Sequence, residues 1–267
     1  MKRGPVVGIL MASAVLVVSC LTTTEKHIIP PPWRPAPVEA VEGFSGKPPV
    51  GQIAPIYFST NDIPGIDGKF DEWDGLKGVY TRVMVYGGLF NPQNTDGHFV
   101  VRTDGQNLYL FADITDDDPE INPFPAPQAW RGDSIEFFFG TDTTPHTFYK
   151  ATDKRMRFVP KSKSNPRQYE MSINDVTTQI ADIQVAFMFH ERGYKMEAKI
   201  PLSVLNTKPL KIGQKVRLEF QINDADGGKE RSRLLHWMSQ EDKSYMDAST
   251  WGDGKVVALP SKGEAKK

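Results

Sequence analysis

Trp130 follows a proline-rich loop, residues 123–127, and directly precedes a predicted strand. An indole ring at such a strand edge can stay exposed. A flat exposed ring can stack on an apolar face of a ligand, while charged or amide groups around it bind the polar groups of that ligand. The alternative is a tryptophan that packs in the core or at its rim. We therefore take Trp130 as a candidate binding residue and expect Trp73, Trp237 and Trp251 to be packing residues.

Acidic side chains cluster at Asp116, Asp117 and Asp118, with Glu120 close behind. Asp67 and Asp71 form a second acidic pair. Carboxylates are the hard oxygen ligands that calcium prefers, although the spacing of an EF-hand loop is absent here. An acidic loop that simply faces water is the alternative. The three consecutive aspartates are the candidate ligands of a structural calcium ion.

Signatures of catalysis are absent from the sequence. A glycosidase needs two carboxylates across a cleft, and no spacing singles out such a pair among the many carboxylates. The sequence contains neither an HExxH motif nor a Gly-x-Ser-x-Gly elbow. The histidines are scattered at His27, His98, His146, His190 and His236. A hydrolase acting in its own right is therefore the less favoured interpretation.

The charge balance argues against nucleic-acid binding. The 267 residues include 32 basic and 33 acidic side chains, which leaves a formal charge of -1. No basic field of the kind that attracts phosphate backbones results from this balance. Hydrophobic residues at 39% and charged residues at 24% are ordinary for a globular protein and argue against a polytopic membrane protein.

The first residues have the pattern of an export signal. Lys2 and Arg3 precede an apolar run, residues 6–18, that is too short and wrongly flanked for a membrane span. The run ends in Val-Val-Ser-Cys at Cys20, which resembles a bacterial lipobox. We predict a signal peptide over residues 1–19 and lipidation of Cys20, which would anchor the protein in the cell envelope with its domain facing the periplasm or the exterior. A plain signal peptide with an incidental cysteine is the alternative.

Three segments follow the predicted signal peptide. Prolines cluster in residues 20–50 and favour an extended, semi-rigid tether. Residues 51–260 have the pattern of one folded domain, and the small and charged residues 261–267 predict a frayed tail. Since Cys20 is the only cysteine, the domain can use neither disulfides nor a catalytic thiol.

The domain has the pattern of an all-β protein. Short runs of β-branched and aromatic residues alternate with Gly, Asp and Asn turns. Residues 99–102 and 108–112 predict a hairpin around Asp104 and Gly105, a pair that suits a turn with positive φ. Further predicted elements are a hairpin of residues 185–189 and 194–200, strands at 134–139 and 216–222, and a helical turn from Pro201 to Leu205. Many short strands predict a sandwich of two antiparallel sheets, of immunoglobulin-like or jelly-roll type.

Four segments, taken together and in order, resemble the family 9 carbohydrate-binding modules, which are attached to xylanases and related enzymes and share a DOMON-like sandwich fold. The first, Ile66 to Trp73, is similar to the family's opening IDG.xDE.W stretch. The others are Leu108–Asp118 with Trp130–Phe138, then Gly193–Pro201, and last Ile222–Gly228 with Arg231 and Leu235–Trp237. The resemblance spans nearly the whole domain and implies a β-sandwich that binds carbohydrate without cleaving it.

The resemblance also implies where a sugar is bound. Two aromatic rings clamp a terminal sugar in this family, and they correspond to Trp130 and Tyr245 here. Members of the family often have tryptophan where this chain has Tyr245, whose smaller ring stacks over less area. The polar partners implied are Glu136, Arg157 and Arg231, with Asp242 as a further contact. The alternation of residues 135–139 is equally compatible with a Glu136 side chain that faces solvent.

The resemblance leaves one other interpretation open. Some DOMON-like relatives bind haem b through methionine, histidine or lysine, and the chain has nine methionines. The resemblance also implies structural calcium and no other cofactor. We expect a polysaccharide or oligosaccharide as ligand, the membrane as a partner through Cys20, and a glycoside hydrolase or a transporter as a partner protein.

Overall fold

The computed structural model describes residues 47–261. The predicted signal peptide, Cys20, the tether up to residue 46 and the tail from residue 262 lie outside the described residues. None of the helices in the described part is long and apolar enough to span a membrane.

Residues 47–261 form fourteen strands and four short 3-10 helices. The strands are β1 (Ile53–Phe58), β2 (Val79–Tyr80), β3 (Val83–Tyr86), β4 (Thr95–Thr103), β5 (Asn107–Asp116), β6 (Ser134–Gly140), β7 (Lys154–Pro160), β8 (Tyr169–Ile173), β9 (Val176–Thr177), β10 (Gln184–His190), β11 (Gly193–Pro201), β12 (Lys215–Asp224), β13 (Arg233–His236) and β14 (Gly252–Ala258). The 3-10 helices are Asp71–Trp73, Ala126–Arg131, Asp226–Gly228 and Ala248–Thr250.

The local predictions from alternation are confirmed. The first predicted hairpin is β4–β5, and Gly105 in its turn has φ +91° while the Asp104 carboxylate accepts from the backbone N–H groups of Gln106 and Asn107. The second is β10–β11. The predicted helical turn from Pro201 to Leu205 is a series of hydrogen-bonded turns that follows β11.

The sandwich is built from one continuous sheet that curls into two facing halves. The strand order is β10-β11-β5-β4-β1-β14-β12-β6-β7-β8-β9, with β13 and β3 branching from β12 and β2 pairing with β4. The prediction of purely antiparallel sheets misses β1, which pairs in parallel with both β4 and β14. The reason is topological, because long connections free β1 from the tight turns that force neighbouring strands to run antiparallel.

The core lies between the two halves of the sheet. Alternate residues of β6, such as Phe137 and Phe139, point into it, as do Phe220 on β12 and Phe99 on β4. Phe220 stacks on Phe99 across the sandwich at a ring-centroid distance of 4.8 Å and on Phe137 at 5.2 Å. These rings hold the two halves together by apolar burial.

The other face of β12, β6 and β7 carries polar side chains, and we call it the outer polar face. The strand register places Glu136 opposite Arg157 on β7 and opposite Gln221 on β12. Because side chains alternate along a strand, each of these polar residues is flanked on its own strand by residues whose side chains point into the core. The apolar core thus fixes the spacing of the polar groups behind it.

Candidate functional site

A cavity of about 330 Å³ opens on the outer polar face. Its size is within the usual range of small-ligand sites. The residues that line it are Pro127, Trp130, Glu136, Arg155, Arg157, Asp175, Gln221, Arg231, Asp242 and Tyr245.

Glu136 forms the floor of the cavity. The side chain is only 1% exposed, and its Oε1 accepts from Arg157 Nε at 2.8 Å and from Asn223 Nδ2 at 3.0 Å. Among the described residues none donates a hydrogen bond to the other oxygen, Oε2, and Arg155 Nε lies 3.7 Å away. Burial by itself raises the pKa of Glu136, but the Arg157 and Arg155 guanidinium groups outweigh it and hold the pKa below its ordinary value. The floor is therefore a carboxylate with one oxygen available to a donor.

The arginines of the floor are locked by further acceptors. Arg157 Nη1 donates to the carbonyl of Ala126 at 2.8 Å and to Asp175 Oδ1 at 2.9 Å. The Arg155 guanidinium also pairs with Asp175. Each guanidinium thus connects β7 to the turn that contains Asp175. It can do so because a guanidinium has several N–H donors that point in different, fixed directions.

Trp130 forms one wall of the cavity from the 3-10 helix Ala126–Arg131, and its side chain is 39% exposed. Buried Asn122 donates to the carbonyls of Ala129 at 2.7 Å and Asp133 at 3.1 Å, which fixes this helix on the end of β6. The guanidinium of Arg231 lies 4.9 Å from the indole ring. The helix that carries Trp130 is therefore fixed to the sheet, while part of the indole ring stays exposed.

Tyr245 forms a second aromatic wall and is 47% exposed. The preceding residue, Ser244, is buried, and its carbonyl accepts from Tyr149 Oη at 2.6 Å and Trp251 Nε1 at 3.0 Å. These two rings pack with Phe138 and Ala248 in a small apolar cluster of their own. The guanidinium of Arg155 lies 5.8 Å from the Tyr245 ring. The loop of Tyr245 is thus tied to the outer polar face at the residue before the ring.

Arg231 and Asp242 close the cavity between the aromatic walls. Arg231 donates to Asn223 Oδ1 at 3.1 Å and to Asp242 Oδ2 at 2.6 Å. Counting the whole lining, the cavity contains three arginines and three carboxylates. The charges balance, so the site offers directed hydrogen bonds without a net field for an ionic ligand.

The structure brings together all six residues that the sequence singled out for ligand contact: Trp130, Glu136, Arg157, Arg231, Tyr245 and Asp242. Glu136 does not face solvent, since loops cover the outer polar face. Sequence reasoning missed Arg155, Asp175 and Gln221. The alternation in β7 puts Arg155 on the same face as Arg157 and was a usable signal, whereas Gln221 follows only from the β6–β12 register.

The acidic residues are arranged differently from the predicted run. Asp116 lies with Asp133 and Asp224, and ligand oxygens of these three buried carboxylates lie within 4.8 Å of one another. Asp117 and Asp118 are exposed and take no part in this group. Asp224 is the last residue of β12 and Asp133 directly precedes β6, so the run of three aspartates contributes only its first member.

Part of the acidic cluster is already hydrogen-bonded. Asp133 accepts from the backbone N–H groups of Glu120 at 2.7 Å and Ala225 at 2.8 Å, and Asp116 accepts from that of Asp118 at 2.9 Å. Oδ1 of Asp224 is buried and accepts no hydrogen bond from the described residues. Burial first, and then the charges of Asp133 and Asp224, raise the pKa of Asp116. Three carboxylates this close repel one another unless a proton or a cation is shared among them.

Residues 66–258 match the family model described as carbohydrate family 9 binding domain-like. The chain belongs to this family.

The three remaining tryptophans of the described chain are packing residues, as predicted: Trp73 and Trp251 are 3% exposed, and Trp237 is 0% exposed.

Two curated relatives illustrate the similarity of this family 9-like domain to parts of larger enzymes. The chain is 26% identical over 217 residues to exoglucanase XynX of Acetivibrio thermocellus, and 26% identical over 214 residues to endo-1,4-beta-xylanase A of Thermoanaerobacterium saccharolyticum. Each match covers 79% of this chain but only 18% and 16% of the respective enzyme. The chain thus spans less than a fifth of these relatives.

Two solved structures confirm the fold. They are family 9 carbohydrate-binding modules from Caldicellulosiruptor kristjanssonii, one in complex with cellotriose and one with glucose. They superpose with TM-scores of 0.62 and 0.60 at 21% identity, covering 79% of this chain and 96% and 98% of theirs. The β-sandwich of this family 9-like domain is therefore the fold of those modules.

The hydrogen bond from Tyr149 to the Ser244 carbonyl should restrain the Tyr245 loop. We expect Tyr149→Phe to accelerate hydrogen exchange at the amides of Met246 and Asp247, which both donate to the Lys243 carbonyl. The free energy of unfolding should fall by about 1 kcal/mol. Tyr57→Phe is the matched control, because Tyr57 also donates to a backbone carbonyl, that of Lys77 at 2.9 Å. Equal acceleration at these two amides in both variants would contradict a local restraint.

Proposed function

We propose that this family 9-like domain binds the end of an uncharged polysaccharide or oligosaccharide in the cavity on its outer polar face and does not cleave it. The observation that carries the proposal is that one cavity contains two exposed rings, Trp130 and Tyr245, and an oxygen of Glu136 that accepts no hydrogen bond from the described residues. Aromatic walls suit the C–H faces of a sugar ring, and a buried carboxylate oxygen suits one of its hydroxyls.

The charge balance of the cavity supports a neutral sugar. Arg231, Arg157 and Arg155 each pair with a carboxylate of the lining, so an anionic ligand would have to displace an existing partner. A hydroxyl can instead add to the network, because each hydroxyl both donates and accepts. The similar modules from C. kristjanssonii were solved with cellotriose and with glucose, which are uncharged sugars.

The state of Glu136 supports binding without hydrolysis. A glycosidase needs one carboxyl group whose pKa is raised so that it protonates the leaving oxygen. The pKa of Glu136 is held below its ordinary value, and both Asp175 and Asp242 are paired with arginines. The carboxylates of the cavity are thus placed as hydrogen-bond acceptors for a ligand.

Calorimetry with oligosaccharides of cellulose, xylan and mannan tests the proposed site. Trp130→Ala should weaken binding about tenfold or more, because an aromatic anchor that contributes about 1.4 kcal/mol accounts for a factor of ten. Tyr245→Trp should keep or increase affinity, since it enlarges the stacking surface. Ligands with the reducing end converted to an alditol show whether the cavity takes that end.

The outcome that would contradict this site is wild-type affinity in a folded variant that carries both Trp130→Ala and Tyr245→Ala. A reducing-sugar assay with the same oligosaccharides should show no release of product. Steady release by purified protein would contradict the non-catalytic part of the proposal.

We also propose that Asp116, Asp133 and Asp224 hold a structural calcium ion. All three offer carboxylate oxygens, the donors that calcium prefers, and Oδ1 of Asp224 has no donor among the described residues. The cluster joins the ends of β5 and β12 to the residue before β6. A cation there would neutralise the mutual repulsion and hold the strands that carry Glu136 and Asn223.

Calcium should raise the melting temperature, because a ligand bound only to the native state stabilises it by about 2.7 kcal/mol at one hundred times its Kd. The expected shift against chelator is about 5–10 °C. Asp224→Asn should lose the gain from calcium, since it removes one of the three carboxylates. Asp117→Asn, next to the cluster, is the control and should keep that gain. Equal melting temperatures of wild type in chelator and in calcium would contradict a bound ion.

The proposed setting is the bacterial cell envelope, with the domain tethered through lipid on Cys20. The support is the signal-like segment, the lipobox-like junction and the proline-rich stretch, all read from sequence. The similar regions of the exoglucanase and the xylanase belong to much longer enzymes. We propose that this protein holds glycan at the cell surface for a glycoside hydrolase or a transporter.

Radiolabelled palmitate fed to expressing cells tests the anchor. The full chain should incorporate label and partition into the membrane fraction, because several acyl chains give stable anchoring where one gives only marginal binding. Cys20→Ala should lose both properties. Label and membrane partition that persist in Cys20→Ala would show that the lipobox prediction is wrong.

A further inference from the structure

Tyr86 is an exposed aromatic residue that lies outside the lining of the cavity. It is the last residue of β3, and its side chain is 56% exposed. Gly87 and Gly88 follow with φ +104° and +96°, conformations that favour glycine. These two glycines have no side chains, so neither of them covers the Tyr86 ring.

The register of the sheet puts Tyr86 on the same face as the cavity. Asn223 of β12 is paired with Leu234 of β13, and Leu234 with Tyr86 of β3, next to a β-bulge between Leu234 and Leu235. Residues paired across neighbouring strands point to the same side of a sheet. Asn223 belongs to the floor network through its hydrogen bond to Glu136. Tyr86 therefore extends the outer polar face two strands beyond Asn223.

Arg231 connects the cavity to Tyr86. Its guanidinium lies 4.9 Å from the Trp130 ring and 6.0 Å from the Tyr86 ring. The hydrogen bonds to Asn223 and Asp242 hold it in place, and the side chain is only 13% exposed. The two exposed rings are thus separated by a single fixed arginine.

We propose that Tyr86 forms an outer sugar subsite, on which a later unit of the oligosaccharide stacks when its end unit occupies the cavity. This subsite rests on the proposed function of the cavity. A chain that leaves the cavity over Arg231 meets the Tyr86 ring, whose open face suits the C–H face of a sugar. The hydroxyl of Tyr86 and the edge of Arg231 supply donors to the hydroxyls around that sugar.

The subsite predicts a dependence of affinity on chain length. Calorimetry compares glucose with the β-1,4-linked di-, tri- and tetrasaccharides on wild-type protein, Tyr86→Ala and Tyr86→Phe. Wild-type affinity should rise about three- to tenfold from the short to the long ligands, in line with one added aromatic stacking contact. Tyr86→Ala should remove this rise and keep the affinity for glucose, and Tyr86→Phe should restore most of it.

Tyr80→Ala is the matched control. Tyr80 is 44% exposed and packs on an arginine, Arg82, at 4.0 Å, but it lies on β2, which pairs with β4 in the other half of the sheet. The full rise with chain length should persist in this variant.

Three results would contradict the outer subsite. The first is a Tyr86→Ala variant that keeps the full rise with chain length, and the second is a wild-type protein that shows no rise. The third is a Tyr86→Ala variant that binds all ligands equally more weakly, because this would mean that Tyr86 only supports Arg231. Absence of wild-type binding to every ligand contradicts the proposed function itself, and loss of binding in Trp130→Ala alone supports the cavity independently of Tyr86.

Discussion

The buried ion pair between Glu136 and Arg157 organises the outer polar face. Each of the two residues is 1% exposed, and burying two charges costs several kcal/mol unless their remaining donors and acceptors are satisfied. Here Asn223 donates to the carboxylate, while the Ala126 carbonyl and Asp175 accept from the guanidinium. The same bonds that offset the burial also attach the loop before Trp130 and the loop of Asp175 to the sheet. One interaction thus positions the floor and part of the wall of the cavity.

The core makes this polar arrangement rigid. Phe137 and Phe220 fill the interior behind Glu136 and Gln221, and each is 0% exposed. Close-packed protein interiors transmit small displacements rather than absorbing them. The spacing of the polar side chains is therefore set by the same strand register that closes the core. Asp133 and Asp224 of the acidic cluster lie at the ends of β6 and β12, so repulsion within the cluster acts on the two strands that carry Glu136 and Gln221.

The two aromatic walls depend on different supports. Trp130 is carried by a 3-10 helix that Asn122 and Arg157 hold from below, whereas Tyr245 follows a serine whose carbonyl is bound by two buried aromatic donors. Each ring also has an arginine near its face, which adds cation–π attraction to the apolar contact. The backbone next to each ring is thereby held in place while the ring itself stays partly exposed. Such preorganisation lowers the entropy lost on binding.

The sequence by itself determined the local elements. Period-two alternation located the two hairpins, and the Asp104–Gly105 pair specified the tight turn. The resemblance to family 9 modules singled out six candidate contact residues, all of which line the cavity. The hairpins and the turn are encoded over a few neighbouring residues, since turn geometry and alternation are local properties of the chain.

Only the tertiary structure decided which distant groups meet. Asp116 joins Asp133 and Asp224 rather than its own neighbours Asp117 and Asp118, because successive residues of an extended chain point in different directions and the ends of separate strands converge. Gln221 reaches the cavity through the register of β6 and β12, and Tyr86 reaches the same face through two further strand pairs. Pairing between strands far apart in sequence depends on how the whole core packs, and that packing fixes the site.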